Sequence, residues 1–299
     1  MYHEYYGLNM LPFENTPDPR FFFGSEHHRE ALAAIEYTIR MRKGFVLITG
    51  EIGSGKTTVT RAVCEQCSDQ ARLVPVLHGH QTPVELLRQI LRAMDARMRP
   101  DDDRSRLLER MLSHFHASLS DHRPVVLLVD EAQSLSDEAL EELRLLSNFD
   151  TSTDKLVQVV LVGHPDLRTR ISQPNLAALR QRIVLAKQLR GLSLEDTGTY
   201  IRHRLTVAGA DPKKMRPTFE PQAIGEIHSF SRGMPRLINV MCDNCLLMAF
   251  VSQTDRITGV MARRVMDDMI PVFDSPLATS APNPIRKLTG STLSLAGNF

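Results

Sequence analysis

A continuous apolar run, Phe45-Val46-Leu47-Ile48-Thr49, stops on Gly50-Glu51-Ile52-Gly53-Ser54-Gly55-Lys56-Thr57. This pattern, G-x-x-x-x-G-K-[ST], carries a mechanism only where a buried strand precedes it and a helix follows it. Both are expected here. The run has the uniform apolarity of a parallel strand covered on both faces, and Lys56 to Cys67 reads as a helix. Glycines let backbone N–H groups turn inward around a phosphate, and the positive end of the next helix faces the same charge. Lys56 then reaches the β- and γ-phosphates, and the Thr57 hydroxyl ligates Mg²⁺. Residues Gly50, Glu51, Ile52, Gly53, Ser54, Gly55, Lys56, Thr57 and Thr58 are the expected contacts of ATP.

Hydrolysis needs a second signal, because kinases share this loop. Val125-Val126-Leu127-Leu128-Val129 ends in Asp130-Glu131. Asp130 is placed to hold Mg²⁺ with Thr57, and Glu131 to orient or polarise an attacking water. The alternative is a polar strand end that caps the next helix. Further strands are expected at Leu73–Leu77, Leu156–Val162 and Ile183–Gln188. Helices are expected at about Glu26–Arg42, Pro83–Met98, Arg104–Leu119 and Ser136–Leu146. This alternation predicts an α/β fold with a five-stranded parallel sheet. From Ser193 the pattern turns helical, with helices near Leu194–Ala208, Pro221–Ser231, Pro235–Phe250 and Gly259–Met269. The expected organisation is an N-terminal linker and helix (1–43), a nucleotide-binding domain (44–190), a helical lid (191–270) and a tail rich in Pro, Ser and Thr that lacks a period (271–299).

Four stretches occur in order: Gly-Glu-Ile-Gly-Ser-Gly-Lys-Thr-Thr, Val-Val-Leu-Leu-Val-Asp-Glu-Ala-Gln, Leu-Val-Gly-His-Pro-Asp-Leu and Gly-Met-Pro-Arg-Leu-Ile-Asn. Together with Tyr5-Tyr6-Gly7-Leu8, Pro12-Phe13 and Pro17-Asp18-Pro19-Arg20-Phe21-Phe22, they resemble an AAA+ ATPase of the ExeA/GspA, or general secretion pathway protein A, type. The resemblance spans about residues 1–270 and implies a P-loop NTPase core with a lid. It implies further roles for three residues. His164 stands where the family places its first sensor, commonly Gln. Arg182, with Arg180 as the alternative, stands at the arginine-finger position that completes a neighbouring subunit's site. Arg236 stands at the second sensor of the lid; a cation in a first helical turn opposes the dipole, which makes sense if a phosphate lies opposite. Phe13 and its Pro-rich surroundings are expected either to cover the adenine or simply to pack. The implied partners are other copies of the chain in a ring or filament.

Two function classes follow from the resemblance. One is a motor for cell-envelope assembly, serving a secretion, pilus or exopolysaccharide system. The other is a DNA-binding regulator of transposition of the TniB/TnsC kind, for which Arg168, Arg170, Arg232, Arg263 and Arg264 are candidate contacts. A formal charge of +1 gives no global field for nucleic acid and favours the first. A nucleotide switch without turnover is the third class, and Glu131 speaks against it. No apolar stretch is long enough to cross a bilayer and no leader pattern opens the sequence, so the expected location is cytoplasmic, at most peripheral to the inner membrane. The pairs Cys64/Cys67 and Cys242/Cys245 fall within predicted helices and are read as packing rather than zinc ligands. His78/His80 and His114/His116 are read as incidental, and Asp101-Asp102-Asp103 as a solvated loop and helix cap.

Overall fold

The computed structural model describes residues 1–16, 18–76, 82–150, 155–210 and 216–273. Leu77, the His78/His80 pair, Pro17 and tail residues 274–299 lie outside the described residues. In chain order the elements are α1 (Tyr2–Tyr5), α2 (Glu26–Arg40), β1 (Phe45–Gly50), α3 (Lys56–Cys67), β2 (Arg72–Val76), α4 (Pro83–Ala93), α5 (Arg104–Ser120), β3 (Val125–Val129), α6 (Asp137–Leu146), β4 (Val157–Gly163), α7 (Pro165–Ile171), α8 (Ala177–Arg182) and β5 (Ile183–Leu189). There follow α9 (Leu194–Val207), β6 (Thr218–Phe219), α10 (Pro221–Ser231), α11 (Pro235–Val251), β7 (Arg256–Ile257) and α12 (Gly259–Phe273), with short 3₁₀ turns at Pro19–Phe21, Ala132–Ser134 and Pro174–Leu176.

The five long strands form one parallel sheet in the order β2-β3-β4-β1-β5. Alternation along β1 sorts its side chains to two cores. Phe45 and Leu47 join Leu127, Leu161 and residues of α4 to α8 on one face. Val46 and Ile48 join Val126, Val160, α2 (Ala31, Ile35, Ile39) and α3 (Val59, Val63) on the other. β1, β3 and β4 are buried throughout, which is why they read as continuous apolar runs. β5 is an edge, and its burial alternates accordingly. Thr49 pairs with Gly163 and Val129 with Leu161. The carboxyl ends of β1, β3 and β4 therefore open on one rim, where parallel sheets place their ligands.

A third core belongs to the helical region, uniting Ile201, Ile227, Ile238, Cys242, Cys245, Leu246 and Ala262. Tyr2, Tyr6, Leu8 and Phe13 join this core, whereas α2 packs on the sheet. The first 43 residues thus divide between two cores. The lid carries one feature beyond the helices expected of it: β6 and β7, two residues each, form a parallel pair. α4 stops at Ala93, five residues short of the expected Met98, and Asp95 turns into the left-handed region at φ 54°. α12 runs three residues into the stretch expected as tail. Of the acidic run, Asp103 caps α5, but Asp102 is buried and paired with Arg110 rather than solvated.

Candidate functional site

The loop after β1 folds over the start of α3. Gly55, the N-cap, sits at φ 95°, and the helix opens with Lys56, Thr57 and Thr58, whose first amides have no intrahelical carbonyl to bond. Lys56 is buried. Its ammonium donates to the carbonyls of Gly50 (2.8 Å) and Glu51 (3.1 Å), which aims it back along the loop. Burial pushes its pKa down, and the carboxylates of Glu131, Asp130 and Glu51 oppose that shift. At the end of β3, the Thr57 hydroxyl lies 3.5 Å from Asp130 Oδ2, while Asp130 Oδ1 accepts the Glu131 N–H at 2.9 Å. Glu131 itself has φ 50°. A non-glycine residue in that region costs of order 1–3 kcal/mol and persists only where its surroundings hold it.

One hydroxyl beside one carboxylate is a pair of hard oxygen donors, which suits Mg²⁺. That ion commonly takes one or two protein oxygens and completes its shell from water and substrate phosphates. No larger cluster of metal-binding side chains occurs among the described residues.

A cleft of about 370 Å³ lies between this loop and the lid, within the range of roughly 300–1,000 Å³ usual for ligand pockets. Of the residues expected from sequence, Ile52, Gly53, Gly55, Lys56, Thr57, Thr58, Glu131 and Arg236 line it. Arg236 sits in the first turn of α11, and its N–H donates to the Gly53 carbonyl at 3.3 Å, so the lid touches the loop directly. Gly50 and Ser54 serve the loop through their carbonyls. Asp130, Glu51 and His164 stand beside the cleft. His164 Nε2 is 3.0 Å from Glu51 Oε2 and Nδ1 is 3.0 Å from Asp166 Oδ2, so its ring lies between two carboxylates at the rim. Arg182 is elsewhere. It ends α8 and donates to Asn148 Oδ1 at 2.6 Å, while Arg180 donates to the Ser172 carbonyl. Among the DNA candidates, Arg170 pairs with Asp137 and Arg263 with Glu226.

The opposite wall comes from the Pro-rich surroundings of Phe13, among them Asn15, Thr16 and Asp18, and from lid residues that sequence reasoning missed. Phe13 packs against Phe219 in the lid core, not on the cleft. Phe21, Phe22, Phe23, Tyr200, Arg204 and Asn239 are the lining residues instead. The buried Arg204 donates to the carbonyls of Pro12 (2.6 Å) and Glu14 (3.0 Å) and lies 4.4 Å from the centre of the Phe21 ring. It ties the N-terminal segment to the lid. The aromatic cluster Phe21-Phe22-Phe23 beside Tyr200 was the available signal.

His28 was missed as well. Its Nε2 is 3.0 Å from the Ser54 carbonyl and its Nδ1 is 2.6 Å from Ser25 Oγ. A carbonyl only accepts, so Nε2 carries the proton and Nδ1 accepts from the serine. A side chain at Gly55 would put its Cβ 2.6 Å from His28 Nε2, so this backbone contact requires glycine. Burial holds His28 below its ordinary pKa, that is, neutral. The unfolded chain therefore takes up this proton first, and the stability that His28 contributes is present above about pH 6.5 and lost as pH falls below it. His203, also lowered by burial, adds to the same slope. The His28→Gln variant should melt with a shallower dependence between pH 7 and 5 than the parent. The His28→Ala variant should lose about 1–3 kcal/mol by orphaning the Ser54 carbonyl. Equal pH slopes in parent and His28→Gln would refute the assignment.

Comparison with known proteins gives the family and the fold. The AAA domain family matches residues 39–171. General secretion pathway protein A of Aeromonas hydrophila is 40% identical over 257 residues, 86% of this chain and 46% of that protein. The chain thus spans about half the length of this curated relative. Among solved structures, the Aeropyrum pernix ORC2 protein in ADPNP–ADP complexes has a TM-score of 0.65 at 15% identity, covering 87% of this chain and 72% of that one. CDC6P of Pyrobaculum aerophilum has a TM-score of 0.62 at 16% identity, covering 84% and 70%. The Thermotoga maritima RuvB Holliday junction branch migration motor has 0.52 at 18%, covering 83% and 70%. A phosphate loop after the buried strand β1, an Asp-Glu strand end at β3 and a helical lid beside both define an AAA+ ATPase. The chain belongs to the AAA+ ATPases of the general secretion pathway protein A family.

Proposed function

We propose that this chain hydrolyses ATP to ADP and phosphate with Mg²⁺ and couples the turnover to assembly or remodelling of a cell-envelope secretion, pilus or exopolysaccharide system. The observation that carries the reading is the meeting of Lys56, Thr57, Glu131 and Arg236 on one cleft. Lys56 and the amides at the start of α3 bind the phosphates. Thr57 and Asp130 hold Mg²⁺, which supplies charge neutralisation at the phosphate oxygens. Glu131 accepts a proton from the attacking water. Arg236 binds the γ-phosphate from the lid, so that hydrolysis changes how the lid is held. His164 senses the loop through Glu51, and Arg182 acts on the next copy in a ring or filament.

The envelope role is supported by the likeness to general secretion pathway protein A. On the same likeness the chain is proposed to work at the cytoplasmic side of the inner membrane; no helix among the described residues is long and apolar enough to cross a membrane. The test combines phosphate release with export. Mg²⁺-dependent release abolished by EDTA, and loss of secretion or polysaccharide export in a Lys56→Ala strain, are expected. Normal export in that strain, with DNA binding that needs ATP and weakens steeply with salt, would replace the envelope role by the transposition one.

A further inference from the structure

Gln133 links Glu131 and His164 by hydrogen bonds. It follows Glu131 by two positions, inside the 3₁₀ turn Ala132–Ser134. Its carboxamide spans the gap between β3 and β4. The His164 N–H donates to Gln133 Oε1 at 2.9 Å. Gln133 Nε2 donates to Glu131 Oε2 at 2.5 Å. The orientation of the amide follows from the chemistry of its partners: a backbone N–H can only donate, so the oxygen faces His164 and the NH₂ faces the carboxylate.

Everything around the carboxamide keeps it there. A Cβ at position 163 would lie 2.7 Å from Gln133 Oε1, so Gly163 leaves the space the amide uses. The Gln133 carbonyl accepts from Arg170 Nη1 at 3.2 Å, and Arg170 is itself anchored on Asp137. Asn175 adds a hydrogen bond to the other oxygen of Asp137 at 2.6 Å. On the other side, the Glu131 carbonyl receives the Ser134 N–H and hydroxyl, both at 2.8 Å, which closes the turn that keeps Glu131 at positive φ. Glu131 is thus held by its backbone on one side and by Gln133 on one carboxylate oxygen.

We propose that Gln133 is a positioning residue: it fixes the Glu131 carboxylate at the cleft and sets that position by the main chain of His164, at the end of β4. The proposal rests on the reading of Glu131 as the group that polarises the attacking water. It adds a mechanical link. Movement of the β4 end, where His164 meets Glu51 of the phosphate loop, reaches Glu131 through one side chain. Because the amide donates to one oxygen only, the second oxygen of Glu131 is left for the water.

The test is steady-state kinetics of the full chain with Mg-ATP. In the Gln133→Ala variant kcat should fall by about 10- to 100-fold, the scale of a misplaced catalytic group, while KM and the affinity for a fluorescent ATP analogue stay within about twofold, because the phosphate loop is untouched. Gln133→Glu should be at least as slow, since it sets a second carboxylate against Glu131. In a Glu131→Gln background, Gln133→Ala should change the residual rate little, because the two act as one unit. The backbone half of the link is tested by His164→Pro against His164→Ala. His164 has φ −70° and ψ 156°, which proline accepts, so the two variants differ chiefly by the amide proton, and His164→Pro should be the slower. Unchanged kcat in Gln133→Ala would overturn the proposal. So would a parallel loss of nucleotide affinity and melting temperature in both Glu131 backgrounds, which marks a purely structural role. Full turnover in Glu131→Gln alone would instead overturn the reading of Glu131 itself.

Discussion

The Glu131→Gln variant should bind ATP like the parent and turn it over about 10²- to 10⁴-fold more slowly, the usual contribution of a positioned proton acceptor. The substitution keeps size and shape, so the turn at φ 50° and the cleft wall are preserved. What disappears is the charge and the basic lone pair. Binding survives because the phosphate contacts come from Lys56 and the α3 amides. Glu131 is one of three carboxylates that oppose the effect of burial on Lys56, and Asp130 and Glu51 remain to do so. Phosphate release and fluorescent-nucleotide titration, run on the same preparation, separate the two effects. Turnover at the parental rate would remove Glu131 from the chemistry. Loss of binding together with turnover would show that its role is to hold the loop.

Legibility of the fold and the site in the sequence followed the distance over which each residue acts. The phosphate loop is contiguous and is flanked by its own strand and helix, so Gly50 to Thr57 and α3 could be read directly. β1, β3 and β4 were equally plain, because central parallel strands carry no polar alternation. The short helices α7 and α8 were not read: Pro165 opens the first, Pro174 separates the two, and with seven and six residues they carry too few turns for a period. β6 and β7 have two residues each and no period at all. The N-terminal segment, expected either to cover the adenine or to pack, stayed open for a different reason. Phe13 and Phe21 to Phe23 all read as apolar residues seeking burial. Only the tie from Arg204, about 190 residues away, decides that Phe13 enters the lid core while Phe21 faces the cleft.

The same holds for the residues that support the site. His28 meets Ser54 across 26 positions, and Gln133 meets His164 across 31. Each is a polar residue on an otherwise ordinary helix or turn, and its partner is a backbone group that no pattern of side chains can announce. Direct contacts of a phosphate sit in one short stretch because a loop and a helix end suffice to make them. The groups that hold those contacts in place come from whichever element the fold brings alongside. His164 illustrates the limit: its position at the end of β4 was legible, but its placement between Glu51 and Asp166 was not.

Arg182→Ala should also lose about 10³-fold or more in kcat if the residue serves as an arginine finger. The geometry makes a specific demand on how that loss arises. Arg182 is held at the end of α8 by the neutral carboxamide of Asn148. It does not line the cleft of its own chain. A guanidinium in that position reaches a γ-phosphate only if a second copy presents its cleft to this edge, so the effect must act between subunits. Mixing supplies the discriminating measurement. An Arg182→Ala subunit keeps a complete loop and Glu131; a Glu131→Gln subunit keeps Arg182. Each preparation alone is slow. Combined in equal amounts in a closed assembly, roughly a quarter of the interfaces join a competent cleft to an intact arginine, and turnover should recover to about that fraction of the parental rate. Asn148→Ala should cost far less, because it frees the guanidinium without removing it. Recovery on mixing would make the cleft between loop and lid one half of a shared site. No recovery, in a mixture shown by cross-linking to contain both chains, would mean that Arg182 steadies the α8–β5 corner of its own subunit and that the finger lies elsewhere, with Arg180 the next to be substituted.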